Sequence, residues 1–320
     1  MTSGGISPLL VVAMIRRFVI LMVVSLLFAV CAAPAYSASV ILDAQHQFQF
    51  ATALMDRGEY DHAVLEYERL IQFFPENEAV PYARCFIGLC HMKAGKYEKA
   101  REVFKEIITA QGDDLLVQKG LFLIGESYYQ QGIPKEAEYY FQRLFREFPR
   151  SRFRQAALYR LGWTKMQRDQ WEEASNLFSR LHGENPYSRS AAELATASLR
   201  GKTLPLKSPK VAGTMAAVLP GLGHAYVGRY KDGSVAFLVN GLFIWAAVES
   251  FHHNNNVVGG MLTFLEIGWY SGNIYSAVNA AHKYIRKVKV DFRENLKDTV
   301  ELKPLILSKG GAGLAFAFHF

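Results

Sequence analysis

The sequence predicts an all-α fold: a superhelix of four helix-turn-helix repeats with a capping helix, then a small α-helical membrane domain and a tail that reads as a short β-hairpin. Three observations predict it. Alanine recurs every 37 residues, at Ala63, Ala100, Ala137 and Ala174. Each alanine is followed four residues later by an aromatic (Tyr67, Phe104, Phe141, Phe178) and seven later by an aliphatic (Leu70, Ile107, Leu144, Leu181), the spacing of one helix face. After Arg200 the composition turns to long apolar segments broken by glycine. Self-similarity at a period of roughly 20 to 50 residues marks a repeat architecture.

The chain opens with Arg16-Arg17, an apolar core over 18–30 and small residues at Ala33, Ala35 and Ser37. This is the layout of a secretory signal peptide over 1–37, with cleavage after Ala35 or after Ser37, and with an uncleaved anchor as the alternative. Cys31 closes the apolar core, but Val30 before it argues against lipidation. Cys85 and Cys90 then fall in one helix with Cα atoms on the order of 8 Å apart, beyond disulfide reach. They read as buried packing thiols, and neither has zinc-ligand spacing.

Over 42–187 each unit holds one helix, a turn and a second helix. A small residue stands twelve positions before each alanine (Ala51, Gly88, Gly125, Gly162), where the paired backbones approach. The turns are written in Gly58-Glu59-Tyr60, Gly95-Lys96-Tyr97 and Gly132-Ile133-Pro134, with glycine to end the first helix in the left-handed conformation. Proline closes three units, at Pro75, Pro149 and Pro186. Residues 188–206 add a capping helix, apolar at Ala191, Ala192, Leu194 and Ala195, and a linker.

Gly125, Tyr128, Ala137, Phe141, Leu144 and Pro149 resemble the tetratricopeptide repeat (TPR) signature, and Gly162, Ala174, Phe178, Leu181 and Pro186 follow it. The resemblance covers about 45–186. Units longer than usual and the phrases Gln72-Phe73-Phe74-Pro75 and Arg146-Glu147-Phe148-Pro149 are similar to TPRs of bacterial envelope proteins. Ala51, Gly112, Leu54, His91 and Lys165 depart from the pattern. The resemblance implies a superhelix whose first helices line a concave groove for a protein or peptide partner. In that register the groove positions are Phe48, Met55, Tyr82, Leu89, Met92, Phe122, Glu126, Tyr129, Tyr159, Trp163 and Met166, with Thr52 and Cys85 beside them.

Residues 207–285 read as a membrane domain of two to three spans. Its apolar segments, 211–227, 235–250 and 257–281, compare with the roughly 20 residues a hydrocarbon core needs. Pro220, Gly221, Gly223, Tyr226 and Gly228 resemble the Pro-Gly-x-Gly-x-x-Tyr-x-Gly motif of the two-transmembrane-helix domain families, which imply no particular activity. No strand precedes Gly221-x-Gly223, and the glycine spacing does not fit a phosphate loop. Gly268, Gly272, Ser276 and Ala280 share one helix face, predicted to pack on the second span or a second copy of the chain. Glu266 falls near mid-span, a costly place for a carboxylate, with Asn240 or His224 as its expected contact.

Residues 38–199 carry 20 Lys and Arg against 22 Asp and Glu, whereas 200–320 carry 14 against 7. The excess positive charge is therefore juxtamembrane, suited to anionic lipid headgroups and not to nucleic acid. Beyond 286 a basic tail ends in a hairpin pattern: an apolar run over 302–307, a Lys309-Gly310-Gly311 turn, then Leu314, Phe316, Phe318 and Phe320 at period two.

No nucleophile, paired-carboxylate or metal-ligand pattern points to catalysis or a cofactor; His252-His253 read as loop residues. The sequence therefore predicts a non-enzymatic, membrane-anchored scaffold at the bacterial inner membrane, its repeats exported to the periplasm, acting in envelope assembly or organisation. The alternative is an accessory or pore subunit of a small transporter, with Glu266 as its residue-level support.

Overall fold

In a computed structural model the described residues are 16–23, 43–110, 114–183 and 186–299. The signal cleavage region, Cys31, Gly112 and the C-terminal hairpin lie outside them. All regular structure among the described residues is helical.

The four predicted units are present as helix pairs: α1 (Ala44–Asp56) with α2 (Tyr60–Phe73), α3 (Val80–Lys93) with α4 (Tyr97–Thr109), α5 (Asp114–Gln130) with α6 (Pro134–Glu147), and α7 (Arg154–Gln167) with α8 (Trp171–Ser179). Asp43 caps α1, its carboxylate accepting from the His46 amide at 2.8 Å, which satisfies one of the free first-turn donors. The punctuating alanines and the aromatics four residues later are all completely buried. The small residues explain why: a Cβ built on Gly88, Gly125 or Gly162 would come within 2.4–2.6 Å of the Phe104, Phe141 or Phe178 ring. In the first unit Ala51 takes the small position, and Tyr67 places its hydroxyl 2.9 Å from Thr52 Oγ1 and its ring edge-on to Phe48 at 5.3 Å.

Polar contacts set one unit against the next. Arg101 on α4 donates to Ser127 on α5 and to Gln131 in the turn after it, and lies 4.2 Å above the Tyr128 ring. Lys165, where the repeat pattern favours an aromatic, instead ties Glu138 of the third unit (2.6 Å) to Glu173 of its own (2.8 Å). The cap is α9 (Ser188–Ser198), with Ala191 and Leu194 inward and Ala192 exposed, contrary to expectation. A short 3-10 turn follows at Leu199–Thr203, where Gly201 lies flat against the Trp171 ring.

The apolar C-terminal half forms a helical hairpin clasped at its base. Its first segment, 211–227, does not make a long helix. It folds as α10 (Pro209–Val218) and α11 (Leu222–Tyr226), broken at Pro220-Gly221; ten residues reach only about 15 Å. The long arms are α12 (Tyr230–His252) and α13 (Asn256–Thr299). At 23 residues α12 is about 34 Å long, and it is the one helix among the described residues long and apolar enough to cross a membrane. Most large apolar side chains on both arms face outward, among them Leu238, Leu242, Trp245, Met261, Phe264 and Trp269.

The buried residues of α13 are Gly259, Glu266, Asn273 and Ala280, spaced by seven as in a left-handed helix pair, joined near the base by Ala277 and Ala281. The predicted small-residue face does not meet α12: Gly268 and Gly272 adjoin open space, while Ser276 lies 3.1 Å from His224 and Ala280 is buried, so packing on the second span is corrected and packing on a second copy of the chain is the expectation that stands. The basic segment 286–299 is helical: α13 runs unbroken through it and returns to the repeats.

Candidate functional site

The predicted groove residues do come together, on the first helices of successive units, but they form the core. Phe48, Leu89, Met92, Phe122, Glu126, Tyr129, Tyr159, Trp163 and Met166 are buried, and only Met55 and Tyr82 are half-exposed. The physical reason is stacking. Tyr159 lies between Tyr187 (ring centroids 4.8 Å) and Phe178 (5.7 Å), and Trp163 meets Phe178 edge-on at 6.1 Å. Burial pushes the phenol of Tyr129 up to about 12 and raises those of Tyr159 and Tyr187. Alanine at Tyr129 and Trp163 therefore removes core, not an exposed binding surface.

One buried ion pair organises this region. Glu126 is fully buried on α5, with its Oε2 2.7 Å from Arg160 Nε on α7 and its Oε1 accepting from Gln130 at 2.9 Å. The Arg160 guanidinium also lies 5.2 Å from the Tyr129 ring centroid.

The accessible polar edge lies where α5 and α7 end. Three of the four helix turns place glycine in the left-handed region: Gly58 (φ 82°), Gly95 (73°) and Gly132 (77°). In the fourth, Asp169 takes that conformation with φ 62°, one that disfavours a residue with a Cβ. Its carboxylate meets the end of α13. Lys289 Nζ lies 2.6 Å from Oδ2 and Arg293 Nη1 3.5 Å from Oδ1. Phe292 packs edge-on against Trp171 at 5.7 Å, and Leu296 rests on the repeat core. Sequence reasoning missed this cluster. Its local signals were an aspartate in a glycine register and the i, i+3, i+4, i+7 spacing of Lys289, Phe292, Arg293 and Leu296.

In the hairpin, the motif residues prove structural. Gly221 has φ 86°, and a Cβ there would lie 2.0 Å from the Gly233 carbonyl; one on Gly223 would lie 2.2 Å from that of Ala212. Pro220 is buried. The Tyr226 hydroxyl accepts from the Ser208 amide at 3.2 Å under Lys207, and Gly228 turns the chain into α12 with φ 82°. The expected pairing of Glu266 is not found. His224 Nε2 sits 3.1 Å from Ser276, and Asn240 donates to the Ala236 carbonyl at 2.6 Å. Neither Glu266 oxygen has a hydrogen-bond partner, and the residue lines a cleft of about 350 Å³ with Ile244, Phe251 and Tyr270.

Among the described residues no group of His, Cys, Asp and Glu could hold a metal ion; His253 contacts Glu249 at 2.9 Å. Both thiols are buried, Cys85 beside the Lys119 ammonium: burial raises Cys85, against the pull of Lys119, and pushes Cys90 up to about 12.

Family comparison agrees with the helix pairs and their period. One tetratricopeptide repeat model matches residues 48–115 and 91–152, and a second matches 156–186. The four helix pairs are tetratricopeptide repeats. Two solved structures are similar to the chain at 14% identity and TM-score 0.39: a tetratricopeptide repeat protein from Parabacteroides merdae, covering 81% of this chain and 98% of that one, and the apo form of RapI, covering 81% and 88%. No curated protein matches the chain. The TPR models stop before α9, so the hairpin stands outside them.

Proposed function

We propose that this protein is a non-enzymatic, membrane-anchored TPR scaffold that holds a protein partner at the bacterial envelope. TPR units are protein-interaction scaffolds, and the observation that carries the anchoring is the outward apolar surface of both hairpin arms. A surface of that size exposed to water marks a membrane or protein contact. Both ends of the hairpin lie toward the repeats, since α10 and α11 clasp its base while Lys289 reaches Asp169. The reading is therefore two crossings, α12 meeting the length and apolarity of a span by itself and α13 crossing beside it through its outward apolar side chains such as Met261, Phe264 and Trp269, with the His253–Asn255 loop on the far side.

The signal-like segment favours export of the repeats to the periplasm. One observation favours the opposite side: residues 232–282 contain no Lys or Arg, whereas Arg229, Lys231, Lys283, Arg286 and Lys287 cluster at the repeat end, the side the positive-inside rule assigns to the cytoplasm. Labelling decides between them. Because Cys85 and Cys90 are buried, a Cys31→Ser background is expected to react negligibly with an impermeant maleimide whether or not the signal segment is retained. A cysteine at Asn254 and one at Glu172 should then label from opposite faces of the membrane, and the protein should stay in the pellet under alkaline carbonate. Release by carbonate, or labelling of both sites from one face, refutes the two-crossing anchor. Photo-crosslinkers at Met55 and Tyr82 in the native envelope identify the partner.

The cleft around Glu266 favours a second reading, an accessory or pore subunit of a small transporter. Glu266→Gln in reconstituted vesicles is expected to leave ion and solute flux unchanged if the hairpin is an anchor; a loss of flux would establish transport.

A further inference from the structure

The end of α13 sits on the repeats as a ligand would. Lys289, Phe292, Arg293 and Leu296 occupy one helix face, and each has a counterpart. Lys289 and Arg293 engage the two oxygens of Asp169 at 2.6 and 3.5 Å, and Arg293 Nη1 also reaches the Met166 carbonyl at 3.5 Å. That carbonyl belongs to the last turn of α7, where the helix dipole favours cations. Phe292 fills the space against Trp171, and Leu296 closes it against the core. Lys289 and Arg293 are 120 or more positions from their partners in sequence, so nothing local holds the arrangement.

Asp169 gives the site its selectivity. Glycine fills the equivalent turn in the other three units, and here the chain carries a left-handed aspartate whose carboxylate is spanned by two cations. We propose that this rim of the third and fourth units is a recognition site for basic amphipathic helices of the pattern Lys-x-x-Phe-Arg-x-x-Leu, and that the end of α13 is its resident occupant. A partner of this chemistry gains the rim by displacing α13. Because α13 is one helix from Asn256 to Thr299, displacement also uncouples the repeats from the hairpin. The inference rests on the scaffold reading and names the partner's class; helix-in-groove docking is the mode it uses.

The test uses the full chain in detergent micelles and a fluorescent peptide of residues 284–299. Lys289→Ala, Phe292→Ala and Arg293→Ala together open the rim, and the opened protein is expected to bind the peptide at least tenfold more tightly than the unaltered one. Adding Asp169→Gly should return binding to the weak level while preserving the fold, since glycine suits that turn. Equal binding to opened and unaltered protein, or binding indifferent to Asp169→Gly, overturns the proposal. Hydrogen exchange on the unaltered chain gives an independent reading that needs no variant: excess peptide should accelerate amide exchange over 288–297, and no acceleration overturns it. Crosslinking separates the two claims. Peptide binding without any envelope partner sinks the scaffold reading alone, whereas a captured partner with no peptide binding sinks the rim assignment alone.

Discussion

Glu126→Ala is expected to destabilise the repeat domain by about 3–5 kcal/mol, the cost of leaving a buried charge without its counterion. Glu126 is completely buried and Arg160 nearly so, and their charged atoms approach to 2.7 Å between the third and fourth units. A domain of this size is typically stable by only about 5–15 kcal/mol, so the loss is a large share of the total. Denaturant unfolding monitored by circular dichroism measures it, and a loss below about 1 kcal/mol would show that the pair contributes little. Replacing both partners, Glu126→Met with Arg160→Met, should recover most of the stability, because the desolvation cost of both charges disappears together. Glu126 stands one turn before the end of α5, where the Tyr129 carbonyl accepts from Gln167 at the end of α7 at 3.4 Å, so the single variant should also weaken any ligand at the rim.

Gly221→Ala is expected to disorganise the base of the helical hairpin, at a cost above about 3 kcal/mol from left-handed strain and overpacking together. The added methyl would meet the Gly233 carbonyl at 2.0 Å. Backbone on both sides leaves no flexible side chain to yield. Gly228→Ala is the control, because its φ is 82° with nothing within 4 Å of the new carbon. It should cost only about 1–2 kcal/mol, the strain alone. Thermal denaturation in micelles with limited proteolysis compares the two. Equal effects would mean that the close approach of α11 and α12 is unimportant, and the motif would then need another explanation.

Both variants act at positions visible in the sequence for reasons visible only in the fold. Glu126 stood out as a polar residue in an apolar stripe, and the stripe was read as a groove. Helical periodicity locates a face but does not say what covers it, and in stacked units each first helix is covered by its neighbours. Phe122, Tyr159, Trp163 and Met166 are therefore core. The Pro-Gly-x-Gly motif was legible as a break, and the structure supplies its purpose in the 2.0 and 2.2 Å approaches at Gly221 and Gly223. On α13 two stripes competed. Small residues at Gly268 and Gly272 looked like the interface, yet the seam runs through Gly259, Glu266 and Asn273, because the turn at His253–Asn255 fixes which face of α13 meets α12.

By itself the sequence determined the repeat: its period, its turns, the alanine-aromatic pairs and the small residues opposite them. These contacts lie within one unit or between neighbours, so they leave a periodic trace. It also marked the apolar segments after Arg200 by composition alone, though it left two or three long helices open until the break at Pro220-Gly221 was seen in the fold. Only the tertiary structure decided that Asp169 meets Lys289 and Arg293, and that α13 continues as a helix to reach them. That contact joins residues about 120 positions apart through one carboxylate and one aromatic edge. A contact made once, between distant segments, has no period, and its residues acquire meaning only when the hairpin folds back on the repeats.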